Sequence, residues 1–213
     1  MDNRMEPLEQ GADARFFDRV WELLLLNFCW CLGCLPLFTI GASTAAAYAV
    51  AFRWQKGELV PIWSGYWGAF RENFRQDVLA QLIQFLLLGA GAALLQAGEM
   101  LPIMEGFFTT LGVVVLAGAF FSFLLVYPIL AKFELSLREA FANAVFLLSR
   151  HTLPVMGAAL TLTIGACFVF FLAPPLMLVM GGLVIYLNSI TLGHIFEKII
   201  KSGKQGAAEE KNG

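Results

Sequence analysis

LLLLNFCWCLGCLPLFTIGAST, residues 23–44, brings Cys29, Cys31 and Cys34 within six positions of one another. It reads either as a thiolate site or as membrane in which cysteine is a small apolar residue. The chain around it decides. Of 213 residues, 59% are hydrophobic and 14% charged, and the mean hydropathy is +0.72; a soluble domain carries about 25% charged residues. Lipid is the solvent that suits this composition. Apolar runs from Leu23 to Ile195 leave room for several spans and none for a separate soluble catalytic domain. A net charge of −2 offers no basic face large enough to follow a phosphate backbone, which excludes nucleic acid as a partner.

In a helix Cys31 and Cys34 share a face and Cys29 points elsewhere, and no neighbouring His, Asp or Glu completes a tetrahedral set. The fourth cysteine, Cys167, falls in a later apolar run, so a four-thiolate site would bury charged sulfurs in lipid. The cysteines read as packing residues, and no metal or cofactor is expected.

A helix needs about 20 apolar residues to cross a bilayer. Residues 21–38, 78–97, 107–130, 153–173 and 175–195 meet that requirement, and a shorter Ala-rich run, 41–54, follows a reversal from Leu35-Pro36 to Gly41. The 14 basic residues decide whether it counts. Arg4, Arg15 and Arg19 precede the first span; Arg53, Lys56, Arg71 and Arg75 lie between the second and third. Lys132, Arg138 and Arg150 lie between the fourth and fifth; Lys198, Lys201, Lys204 and Lys211 follow the last. With six spans and both termini inside, all of them are cytoplasmic and the external turns 36–41, 98–106 and 173–175 carry none. With five, basic clusters fall on both sides. The expected fold is therefore an all-α, polytopic membrane bundle of six transmembrane helices. Residues 1–19 form a cytoplasmic segment, 20–197 the integral domain and 198–213 a cytoplasmic tail expected to be disordered. Trp21, Trp54, Tyr127 and Tyr186 sit near span ends, where amphipathic rings favour the interface. The first span is not read as a signal peptide, because Asp2, Glu6, Glu9, Asp13 and Asp18 make its leading segment acidic.

Two connections are amphipathic. Trp63, Trp67, Phe70 and Phe74 recur at helical spacing opposite Arg71, Glu72 and Arg75; Leu137, Phe141, Val145 and Leu148 repeat the pattern opposite Arg138, Asn143 and Arg150. Both read as cytoplasmic interfacial helices in contact with anionic lipid, and residues 41–97 and 112–173 read as two copies of one layout. Glu139-Ala140 followed by Leu153-Pro154 is similar in part to the coupling loop of ABC importer permeases, but Val145 stands near the place of its glycine.

No Lys, Arg, Asp or Glu lies near the middle of a span; Glu22, Asp77 and Glu197 are at the ends, so an intramembrane proton relay is not expected. The uncharged polar residues Asn27, Gln81, Gln84 and Asn188 read as interhelical hydrogen-bonding groups, each contributing about 0.6 to 2 kcal/mol. The alternative is a neutral pocket, since sugars are recognised by amides and aromatic faces. No nucleophile elbow, phosphate loop or HExxH is present, so no enzyme is expected.

The order Asn27, Trp30, Leu35-Pro36, Thr39-Ile40-Gly41-Ala42, Thr44-Ala45 and Tyr48, continued by Phe70, Asn73 and Phe74 in GAFRENFRQ, resembles the YesL-like family of bacterial membrane proteins of unknown function. The likeness covers about residues 20–80, with Ala46-Ala47-Tyr48 standing where the family tends to have Ala-Leu-Tyr. It implies a multi-pass protein of the bacterial plasma membrane, encoded beside sugar-uptake or polysaccharide-utilisation systems and defined by no biochemical activity. The expected function is a non-catalytic accessory component associated with carbohydrate uptake, in contact with lipid and with sugar-uptake transporter components. Arg71, Asn73, Phe74, Arg75, Arg138 and Arg150 are the candidate contact residues. The alternative is a permease or carrier for a neutral solute, and a homo-oligomer is left open.

Overall fold

The computed structural model describes the backbone of residues 6–172 and 177–210, with side chains over 19–165, 181–198 and 200. The regular elements there are all helical. They are α1 (Glu6–Cys34), α2 (Ile40–Gln55), α3 (Ile62–Glu72), α4 (Phe74–Met100), α5 (Glu105–Lys132), α6 (Leu137–Arg150), α7 (Thr152–Leu172) and α8 (Met177–Glu210). The breaks have local causes. Pro36 precedes a 3-10 turn, Leu37–Thr39, that makes the expected reversal. Gly57, at φ 77, takes the left-handed conformation that lets the chain leave the end of α2. A single residue, Asn73, separates α3 from α4, and His151 alone separates α6 from α7. At the C-terminus the structure corrects the sequence reading, because residues 198–210 continue α8 instead of forming a disordered tail. Lys, Gln, Ala and Glu are strong helix formers, and extending a helix already nucleated costs little. Lys211, Cys167's side chain and the turn 173–175 lie outside the described residues.

Two helices are long and apolar enough to cross a membrane on their own, α4 and the stretch Pro102–Lys132 that contains α5. A third is added only if α6 and residues 152–165 of α7, bent by 107° at their junction, count as one span. Helix length and hydropathy among the described residues thus establish two or three membrane-capable helices, short of the six expected. The expected spans 153–173 and 175–195 lie partly outside the described residues. The apolar run of α1 begins among Arg19 and Glu22, and α2, with 16 residues, is about 24 Å long against a hydrocarbon layer of about 30 Å.

Helix α4 is built inside out relative to a soluble helix. Its buried residues are Asp77, Ala80, Gln81, Gln84, Gly91 and Gly98, whereas Leu79, Leu82, Phe85, Leu86 and Leu88 are exposed. Polar groups and glycines face α5 and leucines face outward, as a hydrocarbon solvent requires. Close approach is the reason for two of the glycines. A Cβ on Gly91 would lie 2.7 Å from the Leu116 side chain, and one on Gly112 would lie 3.1 Å from the Gly91 carbonyl.

The α1–α2 pair and α8 form the other half of the bundle, and its core holds Leu26, Tyr48, Val50, Phe52, Tyr127 and Leu192. The two halves meet where Gly41, at the start of α2, lies against the Tyr127 ring and the Tyr127 hydroxyl donates to Gln81 Oε1 at 3.0 Å. From there α4 runs on from Gln81 to Met100, about 28 Å at about 1.5 Å per residue. The α4–α5 hairpin therefore extends well past the α1–α2 turn.

The layout expected to recur does so in helix order. A long helix, a short amphipathic helix folded back on it, a one-residue break and a long helix appear as α2–α3–α4 and again as α5–α6–α7.

Candidate functional site

Helix α3 forms because its apolar residues fall on one side. Trp63, Trp67, Phe70 and Phe74 stack in sequence, with ring centroids 5.9, 5.2 and 5.3 Å apart. The structure keeps this aromatic ladder and adds an anchor beneath it. Trp63 stays exposed, while the helix is anchored against α1 and α2 through Tyr66, whose hydroxyl lies 2.6 Å from Ser43 Oγ, and Ser43 in turn donates to the Trp30 carbonyl. Gly33 is needed there, since a Cβ would lie 2.6 Å from the Tyr66 hydroxyl. Phe74 begins α4 instead of ending α3, so the ladder bridges the break at Asn73.

The candidate contact residues are all at the surface except Phe74, which is half-buried by its ring contact with Phe70. Arg71 and Arg75 flank the α3–α4 break, and Gln76 Nε2 donates to the Leu135 carbonyl at 2.6 Å, which ties that break to the connection before α6. Arg138, in the first turn of α6, belongs to the same region. Arg150 does not: it ends α6, about 18 Å along the helix from Arg138. Among the described residues the one ion pair is Arg19–Glu22, so these arginines carry unneutralised charge.

Ser136 and Glu139 were not singled out by sequence reasoning as a pair. The Glu139 backbone N–H donates to Ser136 Oγ, and the Glu139 carboxylate accepts from the Ser136 backbone N–H at 2.8 Å and from its hydroxyl at 2.7 Å. The signal S-x-x-E before an apolar run was present in the sequence. The Ser136 hydroxyl and backbone N–H hold the Glu139 carboxyl below its ordinary value. This cap accounts for Glu139, the residue that carried the partial likeness to an importer coupling loop.

The four intramembrane amides are brought together only in pairs. Gln84 Nε2 donates to the Ala119 carbonyl at 2.6 Å and Gln84 Oε1 accepts from Ser122 at 2.8 Å; Gln81 accepts from Tyr127. Both therefore join α4 to α5. Asn27 Oδ1 accepts from the Gly182 backbone N–H at 2.7 Å, and Asn188 accepts from Tyr48 while donating to the Ala158 carbonyl. These two join α8 to α1, α2 and α7. Each amide bonds across a helix interface, and they do not converge on one pocket. Cys29, Cys31 and Cys34 are free thiols; Cys29 is in the core and the other two are half-buried. Two of the four rings placed at the interface by sequence are elsewhere: Trp54 and Tyr127 are buried, because they fill the contacts of α2 with α8 and of α5 with α2.

The sequence places Asp77 at a span end. It is 1% exposed, and its Oδ1 has no hydrogen-bond partner. It lies on the wall of a cavity of about 120 Å³ at the meeting of α2, α3, α4 and α5, together with Arg53, Lys56, Glu72, Asn73 and Lys132. The Lys132 ammonium sits over the rings of Phe52 and Phe196, 5.0 and 5.2 Å from their centroids. Nothing in the local sequence marks Asp77 as buried, since its cover comes from α2 and α5.

Residues 23–95 match the model of a family described as a protein of unknown function, DUF624. Along the whole chain the similarity extends to the "Uncharacterized protein YesL" of Bacillus subtilis (strain 168), 26% identical over 199 residues, covering 90% of this chain and 91% of that protein. No solved structure matches. The matched segment runs from α1 through most of α4, the part that builds the α1–α2 turn, the aromatic ladder and the Asp77 wall. On these similarities the chain resembles the YesL-like family of proteins of unknown function.

Proposed function

We propose that the protein is a non-catalytic membrane component of the bacterial plasma membrane that binds a partner through its basic, aromatic end. Both termini are cytoplasmic in this reading, and the six long helices α1, α2, α4, α5, α7 and α8 are embedded, α2 without the length to cross. The orientation rests on the distribution of the 14 basic residues. The observation that carries the function is the exposed, unneutralised set Arg71, Arg75 and Arg138, held around the α3–α4 break by a rigid stack of rings. Arginine and aromatic residues dominate the energetics of protein contact surfaces. The partner class, a sugar-uptake transporter subunit, comes from the family resemblance alone. The engagement of Gln81, Gln84 and Asn188 between helices favours this reading over a carrier for a neutral solute, which would need polar groups turned toward a pocket.

The test compares co-purification of wild type and of the Arg71→Glu/Arg75→Glu variant with sugar-uptake transporter subunits from native membranes. Association lost in the variant, with insertion retained, is expected. Movement of a sugar into liposomes by the purified protein alone, retained in the double Glu variant, would replace the accessory reading with the carrier.

A further inference from the structure

The cavity beside Asp77 has a charge pattern that the partner-binding reading does not use. Its space exists because the helices present alanines to one another, Ala45 and Ala49 from α2, Ala69 from α3 and Ala131 from α5. Asp77 closes one side, 1% exposed, with Oδ1 unbonded. Arg53 and Lys56 stand on the wall as well, and neither approaches any carboxylate within ion-pair distance among the described residues. A carboxylate oxygen withdrawn from water and left without a donor is costly. Lys132, held over two aromatic rings, does not supply that donor. Buried Asp77 and the bases Arg53 and Lys56 thus share the wall without an ion pair, with exposed Glu72 and Asn73 on the same wall.

We propose that this cavity binds a small zwitterion, its ammonium group donating to Asp77 and its carboxylate facing Arg53 and Lys56. Each simpler occupant leaves a charge unmatched. An anion would leave Asp77 Oδ1 bare and add repulsion from Asp77 and Glu72; a metal ion beside these two carboxylates would still sit among three cationic side chains. A ligand with both signs, a few ångströms apart, satisfies both walls. The size fits: an apolar cavity of about 150 Å³ accepts benzene, so one of about 120 Å³ takes a molecule of about five or six heavy atoms, the scale of glycine or alanine. The inference stands apart from the partner-binding surface, because Asp77 is buried and Arg71 and Arg75 are not on the cavity wall.

The test uses the full chain in phosphatidylcholine nanodiscs, titrated calorimetrically with L-alanine and separately with acetate and ethylammonium, which each carry one of the two charges. Alanine is expected to bind one to one and at least about tenfold more tightly than either half-ligand. Asp77→Asn should weaken alanine binding by about tenfold or more, and Lys56→Gln, at an exposed position, by several-fold. Absence of binding at about 10 mM alanine to folded wild type would mean that the cavity holds only water, and would overturn the proposal. So would equal binding of acetate and alanine, or alanine binding unchanged in both variants.

Discussion

The α1–α2 pair and the α4–α5 hairpin are both helix hairpins closed by a short 3-10 turn, yet they are buried by different materials. In α2, 12 of 16 residues are buried, nearly all against other helices of the protein. In α4 only 6 of 27 are buried, and none of them is a large apolar residue. The first pair carries small residues, Ser43, Thr44 and a run of alanines, that let α1, α3, α5 and α8 approach from several sides. The second carries leucine and valine outward and holds itself together by Gln84, Gly91 and Gly112. Hydropathy detects the second kind of burial, because lipid selects for apolar side chains. It detects the first poorly, because protein cover accepts small and polar residues when their hydrogen bonds are met.

The comparison breaks or sharpens most clearly at the two turns. Ile103, fully exposed at the tip of the α4–α5 hairpin, is expected to be labelled to completion by a membrane-impermeant thiol reagent from outside once Ile103→Cys is made in a background without the native cysteines. Leu37→Cys in the same background should stay unlabelled, because in the proposed orientation the α1–α2 turn lies well short of the α4–α5 tip. Equal labelling of both would show that the two hairpins cross alike.

Packing is the next largest effect. Gly41→Val should cost about 3 kcal/mol and most of the folded yield in detergent, since even a Cβ there would lie 2.5 Å from the Tyr127 ring. Gly118→Val, on the outward side of α5 with nothing within 4 Å of an added Cβ, should leave the yield unchanged. Gln84→Leu probes the self-held hairpin instead. Thermal unfolding should report a loss of about 0.6 to 2 kcal/mol, the range of a single interhelical hydrogen bond, and a larger loss would mean that the hairpin depends on this bond more than on its glycines.

The smallest effect is outside both pairs, at the start of α6. Ser136→Ala should lower hydrogen-exchange protection in the first turn by an amount near the low end of cap effects, about 0.5 kcal/mol. The cap is also pH-dependent. Glu139 is held below its ordinary value of 4.5 by Ser136, so its stabilisation is whole above that pH and is lost as pH falls through the depressed value. Protection that rises on acidification would contradict this assignment.

Much of the helix order was legible in the sequence. Period and turn residues marked α3 from its Trp63, Trp67 and Phe70 spacing, the reversal at Pro36, and the amphipathic α6. The polar glue was legible in type, since Gln81, Gln84, Asn27 and Asn188 could be recognised as interhelical groups before their partners were known. The end of α8 was not, because a charged, Lys-rich stretch reads equally as a solvated tail or as an extended helix. Nor were the roles of Trp54 and Tyr127: an aromatic ring at the end of an apolar run looks the same whether headgroups or another helix will cover it.

The sequence by itself determined that the chain is helical, that lipid is its solvent and that its basic residues gather between alternate apolar runs, because composition and period depend only on local residue types. Tertiary structure alone decided what covers each helix. The aromatic ladder was legible as one face of α3, but only the positions of Gly33 and Ser43 turned Tyr66 into the bundle. Asp77 was legible as a charge near a membrane edge, and only the crossing of α2 and α5 beside it removed its water and left one oxygen without a hydrogen-bond partner beside a cavity. Burial of that kind arises from residues remote in the chain, and no local pattern around Asp77 encodes it.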